Sequence, residues 1–146
     1  MSAISLAHRL WDALQRGEAT PCANAENALI RIAARAHDEF SCAAEQVTVQ
    51  WQPSTDWQET LRRCENALQI LHRAVALVEN DETEKRALFR SPISRDAYWE
   101  GQLRADETST TLTVQRLRLG DRGQRQPTQF LVTVEQVADF LAALLD

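Results

Sequence analysis

From Trp57 to Val78 the apolar residues recur in alternating steps of four and three: Trp57, Leu61, Cys64, Leu68, Leu71, Val75 and Val78. Ala67, Ile70, Ala74 and Leu77 form a second stripe beside them. A period near 3.5 belongs to a helix, and a stripe this wide has to be buried on more than one side. The spacing predicts one long central helix of more than about twenty residues, about 35 Å long at 1.5 Å per residue. Thr55-Asp56-Trp57-Gln58 fits a capping box that would start it. About three heptads make a core helix of a single domain a better reading than a coiled-coil seam.

Around that helix the chain divides. Ile4, Ala7, Leu10, Trp11 and Leu14 keep helical spacing and stop at Gly17, predicting a first helix from about Ser2 to Arg16 with a glycine C-cap. Thr20 as N-cap and Pro21 as first helical residue predict a second, with Leu29, Ile30, Ala33, Ala36 and Phe40 as its stripe, packed on the first as a hairpin. Val47, Val49 and Trp51 alternate with Thr48 and Gln50 as a strand does, up to Pro53. Glu84 to Arg90 reads as one or two further helical turns before Ser91-Pro92.

Beyond Pro92 the texture becomes that of strands. Tyr98 to Leu103, Thr110 to Leu119 and Gln129 to Val134 are rich in Thr, Val, Leu and aromatics at period two, with Gly120-Asp121-Arg122-Gly123 as turn chemistry. Leu112 and Val114 fall on one parity and Leu117 and Leu119 on the other, which predicts a bulge near Gln115 and Arg116. Thr133-Val134-Glu135-Gln136 is a second capping box, opening a helix with Val137, Phe140, Leu141 and Leu144 as its stripe. The expected fold is a single α+β domain over residues 1–146. It has a helical N-terminal half with one long central helix, an antiparallel β-meander of three to four strands and a C-terminal helix. The last fifty or so residues, about a third of the chain, resemble in element order the Whirly-like and transcriptional-coactivator folds. Those folds bind single-stranded nucleic acid on a sheet followed by a capped helix. A generic order carries no residue across.

At 44 % hydrophobic and 25 % charged residues, disorder is not expected. The opening residues have no continuous apolar core behind a basic start, and no stretch reaches the eighteen or so apolar residues of a spanning helix, so neither secretion nor a membrane partner is expected. Cys22, Cys42 and Cys64 are odd in number and widely spaced, which fits free thiols in a reducing cytoplasm better than a disulfide framework. Cys22, read at a helix start, is the one thiol placed for a lowered pKa.

No template for chemistry fits. His8, His37 and His72 stand four residues from no other His or Cys, so no helical metal pair exists. Neither G-x-S-x-G nor a glycine-rich phosphate loop occurs. No catalytic residue, cofactor or metal is expected.

Charge, by contrast, is segregated. Met1 to Glu84 holds seven basic residues against thirteen acidic, a net of −6. Lys85 to Arg125 holds nine against five, a net of +4, and the remainder is −3. Arg104, Arg116, Arg118, Arg122 and Arg125, with Tyr98 and Trp99, are therefore the candidate contacts for a partner or for phosphates. The expected role is a non-catalytic protein-binding module: an adaptor, an inhibitor or immunity protein, or a chaperone-like accessory protein. The alternative is single-stranded nucleic-acid binding, with the meander arginines on phosphates and Tyr98 or Trp99 stacking a base.

Overall fold

The computed structural model describes residues 2–25, 27–53 and 55–146. Among these residues the dominant element is a sheet of nine strands, accompanied by three helices. The elements are α1 (Ala3–Gln15), β1 (Cys22–Ala25), β2 (Ala28–His37), β3 (Ser41–Trp51), α2 (Trp57–Leu71), β4 (Ala76–Asp81) and β5 (Arg86–Arg90). They continue with β6 (Ala97–Ala105), β7 (Thr110–Leu119), a 3-10 turn (Asp121–Gly123), β8 (Arg125–Thr128), β9 (Phe130–Thr133) and α3 (Val134–Leu145). The first helix and the last are where the sequence places them. Ser2 caps α1 by accepting from the Ser5 amide, and Gly17 follows it at φ +92°, where a side chain would be strained. At α3 both halves of the Thr133–Gln136 capping box are made.

The helical N-terminal half is overturned. Residues expected as a second helix form β1, β2 and the turn before β3, so no hairpin of α1 with a second helix exists. The deciding pattern is Leu29-Ile30-Arg31-Ile32-Ala33. Ile30 and Ile32 are buried and Arg31 between them is exposed, a period of two that β-branched residues favour. Pro21 does not open a helix. Its carbonyl accepts from the Ile32 amide at the sheet margin, where the missing proline N–H leaves no gap in a ladder. The strand expected at Val47–Trp51 begins earlier, at Ser41.

The long central helix is also corrected. α2 has 15 residues and ends at His72, so it spans about 22 Å rather than 35 Å. Its N-cap is Asp56, which accepts from the Glu59 amide, one residue beyond the expected capping box at Thr55. Val75 still enters the core, from the loop after the helix, but Leu77 and Val78 lie in the exposed strand β4. The turns expected at Glu84–Arg90 are β5.

Two meanders build the sheet, in the order β1-β2-β3-β7-β6-β5-β4. They join where β3 pairs antiparallel with β7, Val47 to Trp51 against Val114 to Thr110. Beyond that junction β3 and β7 part. β9 pairs with Ser41 to Ala44 of β3, and β8 with Arg116 to Leu119 of β7, so the sheet forks and the segment around Gln129 fills the fork. β7 needs no bulge, because its register against β6 runs unbroken from Thr110 to Arg118. The change of parity is real: Leu112 and Val114 face the helices, whereas Leu117 lies in a row with Tyr98 and Pro127 on the opposite face.

All three helices pack on the face carrying Ile30, Ile32, Val47, Val49, Leu103, Leu112 and Val114, with α3 between α1 and α2. Gly101 of β6 lies under α2, and a Cβ there would stand 2.7 Å from Leu68 Cδ1. The close approach of helix to sheet depends on its having no side chain.

Candidate functional site: the helix-free face of the sheet

Strand alternation and register decide which side chains share the face that no helix covers among the described residues. Three rows cross it. Arg86, Arg104, Thr111, Gln50 and Leu29 form one; Leu88, Gln102, Thr113, Thr48 and Arg31 the next; Arg90, Glu100, Gln115, Gln46 and Ala33 the third. Arg125 of β8 joins them beside Leu119. Across β2, β3 and β5 to β8 this face carries six arginines, Arg31, Arg35, Arg86, Arg90, Arg104 and Arg125, against two carboxylates, Glu100 and Glu45, the latter ion-paired with Arg35. Glu79 and Asp81 stand on the same face of the edge strand β4. Between them lie threonines and glutamines, side chains that both donate and accept, together with the apolar Leu29, Leu88 and Ala33.

Glu100 is buried although it belongs to this face. Its Oε1 accepts from Gln102, and its Oε2 stands 3.5 Å from Arg90 Nε. The Arg90 guanidinium lies over the Tyr98 ring at 5.5 Å and that of Arg125 at 5.9 Å. Tyr98 is therefore enclosed by two cations, 4 % exposed, with its hydroxyl unpartnered. Arg31, Arg86, Arg104 and Arg125 make no ion pair among the described residues.

The residues singled out from sequence do not form one strip. Arg104 and Arg125 lie on the helix-free face. Arg116 and Arg118 have the parity of Leu112 and Val114 and so belong to the other face, beside Trp99 and Ala97. Arg122 sits in the 3-10 turn at φ +73°. Trp99, half-buried, packs against the helix-side core, 4.8 Å from Phe130 and 6.4 Å from His72 by ring centroids. Tyr98 is buried and Trp99 lies on the other face from Arg104 and Arg125, so neither is presented beside them for stacking. Arg31, Arg86 and Arg90 were missed. The alternation Arg86-Ala87-Leu88-Phe89-Arg90 was the available signal for two of them, hidden by its reading as helix.

The thiols have separate fates. Cys22 is exposed at the first residue of β1, so no helix N-terminus acts on it. Burial pushes Cys42 up to about 11 and Cys64 up to about 12. Among the described residues no helix is long and apolar enough to cross a membrane. No protein-family model, curated protein or solved structure matches the chain.

Proposed function

We propose that this chain is a non-catalytic protein-binding module, of the adaptor, inhibitor or chaperone-like kind, that receives an acidic partner on the helix-free face of its sheet. One observation carries the reading: away from the edge strand β4, six arginines stand against two carboxylates, the ion-paired Glu45 and the buried Glu100, on one face of a chain whose net charge is −5. Such a face attracts negative charge locally, while the acidic remainder of the molecule repels polyanions that approach elsewhere. Burial of Tyr98, and the placing of half-buried Trp99 on the opposite face from Arg104 and Arg125, favour a protein over single-stranded nucleic acid, because base stacking needs exposed rings beside the cations.

The test is capture on the immobilised chain from a nuclease-treated extract of its source cell, followed by titration of the purified partner. The expected partner is an acidic protein whose affinity falls about tenfold or more for Arg31→Glu, Arg125→Glu and weakens with salt. An affinity unchanged by that charge reversal removes the helix-free face from the interaction.

A further inference from the structure

Four buried side-chain polar atoms have no hydrogen-bond partner among the described residues, and three of them belong to one cluster on the helix-free face: Tyr98 Oη, Glu100 Oε2 and Arg90 Nε. A buried hydroxyl left unpaired is costly, so its retention calls for an explanation. Leu117 and Pro127 continue the row of Tyr98 on β7 and β8 and offer it no polar side chain. Glu100 offers no acceptor either, because its Oε1 takes the Gln102 side-chain amide and its Oε2 faces Arg90. The two guanidiniums over the ring differ. Arg90 is held by the Glu100 ion pair, whereas Arg125, exposed on the four-residue strand β8, makes no ion pair among the described residues. Asp121, in the 3-10 turn before it, and Asp96, whose carbonyl accepts from the Leu119 amide beside it, make none either. Tyr98 therefore lies under one anchored cation and one held through its contact with the ring, with a proton to donate and no acceptor.

We infer that Arg125 is a lid over Tyr98: when the acidic partner docks, the partner draws the guanidinium off the ring and accepts a hydrogen bond from the uncovered Tyr98 hydroxyl. The inference rests on the acidic-partner reading and deepens it by naming a contact that the unbound protein hides. Without a partner, opening the lid gives up the cation–π contact and wets the ring. With one, the guanidinium exchanges that contact for a charge-assisted hydrogen bond, and the hydroxyl gains an anionic acceptor, so the partner selects the open arrangement.

Tyr98 is the only tyrosine of the chain, so nitration by tetranitromethane, mapped by mass spectrometry, reads that ring alone. The wild type is compared free and saturated with poly-L-glutamate at low ionic strength, beside free Arg125→Gln. Tyr98 is expected to react slowly in the free wild type and about tenfold or more faster both with poly-L-glutamate and in Arg125→Gln. Thermal unfolding verifies that each variant is folded, and the wild-type comparison stands without any variant. Tyr98→Phe should keep the unfolding midpoint, because the hydroxyl has no bond to lose, yet bind poly-L-glutamate about tenfold more weakly in isothermal titration. A merely structural tyrosine would not separate those two readouts. Bound poly-L-glutamate that leaves Tyr98 slow overturns the lid and leaves the acidic-partner reading standing, and so does a slow Tyr98 in Arg125→Gln. Equal affinity in Tyr98→Phe overturns the hydroxyl as the contact. Uncovering by a single-stranded oligonucleotide and not by poly-L-glutamate overturns the polypeptide as the partner. No binding of poly-L-glutamate overturns the lid and the acidic-partner reading together.

Discussion

At Leu68 and Gly101 one side chain occupies the room that another residue leaves free. Leu68 is 1 % exposed, and its methyl groups fill the space a Cβ at position 101 would take. Leu68→Ala is expected to cost about 2–5 kcal/mol in denaturant titration. Gly101→Ala should cost about 1–3 kcal/mol through overpacking. The double variant should lose less than the sum, because truncating Leu68 makes space for the new methyl. Strict additivity would mean that the two positions do not share that space. The cysteines give a second outcome: in the native protein a small alkylating reagent should modify Cys22 alone, and all three thiols only after unfolding. Rapid native labelling of Cys64 would contradict its burial on the core-facing side of α2. Leu68 was legible as core because its seam is helical for most of its length. Gly101 was not, since a glycine in a strand announces close approach without naming the element that approaches.

At the scale of elements, the sequence was read correctly where local chemistry is self-contained and misread where tertiary pairing decides. The α3 capping box involves four consecutive residues and stands as expected. The Trp57–Val78 periodicity outlasts its helix, because Val75 reaches the same core from a loop while the chain turns into β4. In β2, alanines at Ala33, Ala34 and Ala36 suit a helix intrinsically, yet nine of its ten residues pair with β3 across two register shifts. Long-range pairing overrode propensity there. For α2, Asp56→Ala should remove the acceptor for the Glu59 amide and cost about 0.5–2 kcal/mol, whereas Thr55→Ala should be nearly neutral. Equal losses at both positions would return the cap to Thr55.

At the scale of the whole molecule, segregation of charge along the sequence proved a poor guide to segregation in space. Arg116 and Arg118 are neighbours in the text of β7 and share a face, but not the one that holds Arg104 and Arg125. Arg31, from the acidic half of the chain, completes the cationic face through the pairing of β2 with β3 and of β3 with β7. A labelled single-stranded oligonucleotide is expected to bind poorly at physiological ionic strength in fluorescence anisotropy, where the Debye length is about 8 Å. Sub-micromolar binding, with a log–log salt slope of about −0.7 per contacted phosphate and loss in Arg104→Glu, Arg125→Glu, would transfer the face to nucleic acid. The fork bears on synthesis. β3 is made well before β9, and β7 shortly before β8, so a nascent chain exposed only as far as Leu119 holds two half-strands with bare hydrogen-bonding edges. Until Phe130 to Thr133 has left the ribosome, those edges are open to pairing with a neighbouring chain, and slow translation between Gly120 and Gln129 prolongs that exposure.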